Sequence, residues 1–251
     1  MVRDGGALLE LDGVGVAYPG GVRALEPVTA SVSAGEFVGV VGPSGCGKST
    51  LLRAAAGLVA PTSGRVVRHT DDLAYVFQEP TLMPWRTVRR NVELVAELRG
   101  VRKVERRERA AAMLGRVGLA DFADHLPAAL SGGMRMRAAL AQALVMRPRF
   151  FLFDEPFSAL DELTRERLAD ELLALHRADG FGAVFVTHSV AEAVYLSTRV
   201  LVLSARPGRV VADLDVPFGR DREPGLRYTP EFAALVARAT GALRAQAGEL
   251  S

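Results

Sequence analysis

Nine residues constrain this chain more than any other stretch: Gly42-Pro43-Ser44-Gly45-Cys46-Gly47-Lys48-Ser49-Thr50. They follow an apolar run, Phe37-Val38-Gly39-Val40-Val41, and precede a helix-like segment, Leu51 to Ala56, closed by Gly57. Strand, glycine-rich turn and helix are the context in which G-x-x-x-x-G-K-[ST] is a phosphate-binding loop and not a chance match. The glycines let the backbone curl so that successive N–H groups point inward, and the positive end of the following helix completes the nest. Lys48 is then placed to reach β- and γ-phosphates, and the Ser49 hydroxyl to bind Mg²⁺. A turn with a stray cation would carry arginine here, because the chain has 29 Arg and only 2 Lys, the other being Lys103. A compact ammonium suits a tight phosphate site in a way a planar guanidinium does not.

At 251 residues the chain has room for one large α/β domain, or for a core with an inserted subdomain. Hydrophobic content of 49% and charged content of 24% describe a globular protein. The net charge of +2 is too small to imply a nucleic-acid partner. No apolar run approaches the ~18 residues that span a bilayer, and the N-terminal stretch MVRDGGALLELDG lacks a signal peptide's apolar core. A cytoplasmic or peripheral protein is therefore expected. Cys46 is the only cysteine, which excludes an intrachain disulfide and leaves it as filler in the loop.

Residues 8–33 have the pattern of short antiparallel β segments, Leu8 to Leu11, Val14 to Tyr18 and Val28 to Val32, broken by Pro19-Gly20-Gly21. Buried strands are expected at Phe37–Val41, Leu73–Phe77, Phe150–Asp154 in the sheet centre, and Ala183–Thr187, with an edge strand at Arg65–Val67 and another strand at Val200–Leu203. Between Thr87 and Arg147 helical patterns replace strands, at Val88–Leu98, Glu105–Val117 and Ser131–Met146. Further helices are expected at Thr164–Ala178 and Phe232–Ala247. The mixed-sign run Arg102 to Arg109 fits a solvated helix face with pairs such as Glu105–Arg109.

Several strand ends carry chemistry, because ligands of open parallel sheets lie outside the carboxyl ends of the strands. Gln78 is either a strand-ending polar residue or a sensor of Mg²⁺ and the attacking water. Asp154 and Glu155 follow four apolar residues, where two acids are costly to bury without a cation. Asp154 is suited to hold Mg²⁺, and Glu155 to take a proton from water attacking a γ-phosphate. His188 ends the next strand and is either a surface histidine or a group that faces the same phosphate. Ser131 caps a helix whose first residues, Gly132 and Gly133, leave N–H groups accessible: a second anion site, or a plain capped helix. Tyr18 is a core or surface aromatic, or a ring that stacks on a base.

Together these stations resemble the nucleotide-binding subunit of an ATP-binding cassette (ABC) transporter over roughly residues 8 to 215. The match rests on the phosphate loop, Gln78, the signature Leu130-Ser131-Gly132-Gly133-Met134, the strand Phe150–Asp154 with Glu155, the loop Ser158-Ala159-Leu160-Asp161, and His188. The resemblance implies a P-loop NTPase core with a mixed, mainly parallel sheet, an N-terminal antiparallel β part and an inserted α-helical subdomain. It divides the chain into an ABC ATPase domain at 1–215, with core 1–86 and 148–215 and helical subdomain 87–147, and a short helical C-terminal extension at 216–251. It implies an ATP hydrolase using ATP and Mg²⁺, with Glu155, His188 and Gln78 catalytic, and Ser49, Gln78 and Asp154 on the metal. Nucleotide contacts fall to Tyr18, to Gly42 through Thr50, and to Ser131, Gly132, Gly133 and Asp161, the signature acting on the ATP of a second copy.

The implied partners are a second copy in an ATP sandwich, integral membrane permease subunits, and indirectly a solute-binding protein, at the cytoplasmic face of the inner membrane. Met134 departs from the commonest signature, which ends in Gln. It is similar to the nitrate/sulfonate/taurine import branch, as are Gln78 to Val88 and Arg206-Pro207-Gly208-Arg209. Met83, Pro84 and Trp85 are expected to shape a groove for a permease helix, with a core position as the alternative for Trp85. An exporter cassette, a soluble ABC ATPase and a P-loop kinase are the competing readings. The cargo is not readable, because the cassette touches ATP and permease only.

Overall fold

The computed structural model describes residues 6–219 and 221–247; the outer ends of the expected core and C-terminal extension, 1–5 and 248–251, lie outside them. Two long strands, β1 (Ala7–Ala17) and β2 (Arg23–Ser33), pair antiparallel across the Pro19-Gly20-Gly21 turn. Bulges interrupt their register, which explains why the sequence pattern breaks them into shorter segments. The strand β4 (Ser63–Arg68) pairs with the other edge of β1, giving a three-stranded sheet in the order β2-β1-β4.

The second sheet has six strands in the order β5-β6-β7-β3-β8-β9. They are β3 (Phe37–Val41), β5 (Leu73–Val76), β6 (Phe150–Asp154), β7 (Gly182–Val186), β8 (Arg199–Leu203) and β9 (Val210–Asp215). The first five in that order run parallel and β9 turns back antiparallel to β8. Every residue of β3, β6 and β7 is buried, as expected of parallel strands covered on both faces.

Seven α-helices among the described residues complete the fold. The helix α1 (Lys48–Ala55) lies between the two sheets, where Leu51 and Leu52 join a core with Leu9, Val38, Val40 and Leu152. On the far face of the six-stranded sheet pack α5 (Glu162–Asp179), α6 (Val190–Leu196) and α7 (Pro230–Ala247), while α2 (Val88–Leu98) and α3 (Lys103–Arg116) pack on α4 (Gly132–Leu144), which meets the edge strand β5. Their core is aromatic: the Phe151 and Phe153 rings stack at 5.3 Å, with Phe37, Phe181 and Phe185 in contact. Caps set the helix ends. The Thr87 hydroxyl accepts from the Arg90 N–H, and α5 stops at Gly180, whose φ of +64° is left-handed.

Two expectations need correction. Leu73–Val76 is the half-buried edge of the six-stranded sheet, not a buried strand, because nothing pairs beyond it among the described residues. Phe150–Asp154 is one strand in from that edge, and helices on one face with α1 on the other bury it all the same. Two elements, α6 and β9, are additional, one being too short for helical periodicity and the other a half-exposed edge interrupted by Asp213 and Asp215. The C-terminal helix expected at Phe232–Ala247 is present and begins two residues earlier, at Pro230, and Phe232, Leu235 and Ala239 share the main core with α6 and β8.

That tail is held by one arginine. Arg222 is buried and donates to the carbonyls of Gly219, Val194, Tyr195 and Ser197, the latter three at the end of α6. Burial pushes its guanidinium down to about 10, while the Tyr195 hydroxyl opposes that shift. Arg227 reinforces the junction, with its guanidinium carbon 3.5 Å from the Tyr195 ring centre and a hydrogen bond to Asp170. Arg222→Met should cost about 1–3 kcal/mol in urea unfolding, since it leaves buried carbonyls without a donor. Arg177→Met, at an exposed pair with Asp221, should cost less than about 1 kcal/mol.

Candidate active site

The loop between β3 and α1 fixes the site. Gly45 and Gly47 have φ of +73° and +110°, a region that side chains disfavour. A Cβ on Gly47 would also stand 2.6 Å from the Ala24 carbonyl oxygen of β2. The loop therefore closes against the small sheet, and the N–H groups of the first turn of α1, which have no intrahelical partner, open on the cleft.

Lys48 is only 5% exposed. Its ammonium donates to the carbonyls of Gly42 and Pro43 at 2.9 and 3.1 Å and lies 3.8 Å from Glu155 Oε1. Ser49 donates to Asp154 Oδ1 at 2.8 Å. Asp154 itself is buried at the end of β6. Its other oxygen accepts from the Tyr75 hydroxyl at 3.0 Å. Burial pushes that phenol well above its ordinary range, with the Asp154 charge and hydrogen bond adding to the effect. Tyr75 is thus a fixed donor that turns the carboxylate toward Ser49.

Glu155 breaks the strand with φ of +48°, a left-handed conformation that costs roughly 1–2 kcal/mol for a residue with a Cβ. Three hydrogen bonds hold it there: its N–H to Val186, and its carbonyl from the Ser158 N–H and hydroxyl. The side chain points back so that Oε1 meets Lys48 and Oε2 lies 3.4 Å from His188 Nδ1. Strained backbone of this kind persists where surrounding structure over-determines it, as at reactive sites.

A cleft of about 380 Å³ gathers Tyr18, Ser44, Gly45 and Gly47 with Lys48, Ser49, Thr50, Gln78 and Glu155. Tyr18 keeps part of its ring exposed while its hydroxyl bonds with Thr50 Oγ1 at 3.2 Å. Two residues not singled out as site residues belong here. Arg206 lines the cleft and donates from Nε to the Gly45 carbonyl at 3.1 Å. Tyr75, as noted, holds Asp154. A tyrosine inside an apolar run carries no signal of that role, and Arg206 reaches the loop only through a turn distant in sequence. The oxygen donors Ser49, Asp154 and Gln78 form a hard set of the kind Mg²⁺ takes alongside phosphate oxygens.

Other expected residues stand apart. The Cys46 thiol is buried in the core beside α1, so only its backbone belongs to the loop. Ser131 uses its hydroxyl to cap α4, accepting from the Met134 N–H at 3.2 Å, and Ser131 and Gly132 are exposed away from the cleft. Asp161 caps α5 through the Thr164 N–H, which holds its carboxyl below the usual range, and it does not line the cleft. Met134 packs half-buried against the helical core. Trp85 is 74% exposed, which removes the core alternative.

With this geometry in view, the similarities of the chain are specific. The ABC transporter family profile matches residues 25–158, more than half the chain. The chain belongs to the ABC transporter family. It is 49% identical over 210 residues to an uncharacterized ABC transporter ATP-binding protein of Methanocaldococcus jannaschii, covering 80% of this chain and 79% of that one. It is 43% identical over 248 residues to the taurine import ATP-binding protein TauB of Mesorhizobium japonicum, covering 94% and 96%. Among solved structures it resembles the dimeric post-hydrolysis state of the ATP-binding cassette MJ0796 bound to ADP and Pi, at 34% identity and a TM-score of 0.74 over 83% of this chain and 98% of that one. As an ABC cassette of this kind it is an ATPase.

The Cys46 thiol provides a check on the packed loop. Burial pushes its pKa up, and the nearby Lys48 charge opposes this. A thiol-reactive disulfide reagent should leave Cys46 unmodified in the native chain over the time in which it reacts fully in urea. Rapid native reaction would mean that the loop is open behind β3.

Proposed function

We propose that this chain is the ATP-hydrolysing subunit of a bacterial importer of small sulfonates of the taurine class. It would work as a homodimer on permease subunits at the cytoplasmic face of the inner membrane, supplied by a solute-binding protein. One observation carries the hydrolytic part: the Lys48 cleft and the Glu155–His188 pair share one end of the sheet. The taurine class is supported by 43% identity along 94% of the chain to a protein named for taurine import. Among the described residues no helix is long and apolar enough to cross a membrane, consistent with a peripheral subunit.

In this reading adenine stacks on Tyr18, and Lys48 exchanges its carbonyl partners for β- and γ-phosphate oxygens. Gly45, Gly47 and the first turn of α1 supply backbone N–H groups to the same phosphates. Ser49, Asp154 and Gln78 would hold Mg²⁺, which would supply positive charge to offset that of the phosphates. Glu155 accepts the proton of the attacking water, and His188, next to Glu155, orients that water. Ser131, Gly132 and Gly133 lie off their own chain's cleft and complete the site of a second copy. The groove of about 230 Å³ beside Phe77, Thr81, Val95 and Met146 is where a permease helix would dock, with Trp85 nearby in sequence and exposed.

The test is uptake. Chain and cognate permease in proteoliposomes, with solute-binding protein outside, should accumulate labelled taurine only when ATP is enclosed. Lys48→Ala should weaken ATP binding by about tenfold to a hundredfold, the worth of charge-assisted hydrogen bonds, and abolish uptake. ATP hydrolysis without taurine uptake would reject the substrate class. Unchanged ATP binding in Lys48→Ala would reject the site.

A further inference from the structure

His188 is carried on a short segment between β7 and α6 whose backbone is tied down on both sides. The Thr187 hydroxyl donates to Glu192 Oε2 at 2.6 Å and accepts from the Ser189 N–H at 3.0 Å. Ser189 Oγ accepts from the Glu192 N–H at 3.3 Å, as in a helix-capping box. Glu192, on the first turn of α6, thus holds the residues either side of His188, Thr187 through its carboxylate and Ser189 through its N–H.

The other Glu192 oxygen leads elsewhere. Oε1 lies 3.3 Å from Arg165 Nε on α5, with side-chain exposures of 11% and 29%. Arg165 Nη2 donates to the Leu160 carbonyl at 3.0 Å, within the loop that follows Glu155. Leu160 is buried and lies against Gly133: a Cβ on that glycine would stand 3.1 Å from Leu160 Cδ2. Burial pushes the Glu192 carboxyl up, while the Thr187 hydroxyl and Arg165 pull it back. An apolar pair would anchor α6 to α5 without that desolvation cost, so what this half-buried ionic link adds over one is a fixed geometry.

We propose that Glu192 and Arg165 are positioning residues that lock the His188 segment to the Leu160 loop and, through it, to Gly133. A shift of His188 at a chain's own nucleotide is then transmitted to the helix N-terminus which that chain offers to its partner's nucleotide. The proposal rests on the hydrolytic reading above. The linked parts are contiguous and each is held by a direct contact, which is the physical route by which such coupling travels.

Glu192→Gln keeps the size and the Thr187 bond but removes the ionic link to Arg165. Arg165→Lys keeps the charge but removes the fork that reaches both Glu192 and Leu160. In the full-length chain, Glu192→Gln should lower kcat by about tenfold or more, the scale of a small misplacement of a reacting group. KM and the ATP dissociation constant should stay within about twofold, since neither residue lines the cleft. Arg165→Lys should fall between, and the double variant should be no worse than Glu192→Gln, because both changes cut one link. The imidazole resonance of His188 should move in Glu192→Gln, while those of His69 and His125 stay put.

Parental kcat in both variants, losses that multiply in the double variant, or an unmoved His188 resonance would overturn the proposal. So would a loss of ATP binding that accompanies the loss of turnover. If the unsubstituted chain with its permease hydrolyses no ATP, the hydrolytic reading falls instead. An active parent matched by Glu192→Gln removes the positioning proposal alone.

Discussion

A single buried ammonium organises one end of this molecule. Lys48 has three oxygen neighbours, two carbonyls of its own loop and the Glu155 carboxylate. Each neighbour is placed by a different constraint. The carbonyls sit where they do because Gly45 and Gly47 let the loop curl against β2. Glu155 sits where it does because β6 is paired between β5 and β7, and because three hydrogen bonds hold its left-handed backbone. The helix that begins at Lys48 is wedged between two sheets by Leu51 and Leu52, so the backbone that carries the cation is fixed by the core.

From that point the structure extends in two directions. Outward lies the cleft, with Tyr18 at one end, Gln78 and Glu155 at the other, and Arg206 braced on the loop. Inward, Glu155 leads to His188, and the segment carrying His188 leads through Glu192 and Arg165 to Leu160 and Gly133. The helix N-terminus at Ser131 is capped, exposed and turned away from its own cleft. On the proposed reading, such a chain offers one half of a phosphate site at Lys48 and another at Ser131, and a second copy would bring the halves together.

The legible parts of the sequence were those where one physical rule acts alone. Five-residue apolar runs bounded by turns had to be parallel strands buried on both faces, and β3, β6 and β7 are. The glycine-lysine loop needed no tertiary context to be seen. Elements stayed hidden where tertiary contacts override local pattern. The strand β9 is a half-exposed edge with two aspartates among its apolar residues, and α6 spans only seven residues and is capped by Arg222 from the tail. The same holds in the site: Tyr75 reads as core until the hydroxyl is found on Asp154, and Arg206 joins the loop from 161 residues away. Cys46 shows the converse, a residue inside the motif whose side chain belongs to the core.

The central claim, that two copies share each nucleotide, is tested most directly with Glu155→Gln on a sizing column. This change preserves the shape of the side chain while removing the carboxylate that would take the proton from water. With Mg²⁺ and ATP the variant should elute as a dimer, and without nucleotide as a monomer. A monomer in both conditions, with ATP measurably bound, would contradict the account, because the Ser131 helix would then not be closing on the phosphate held at Lys48.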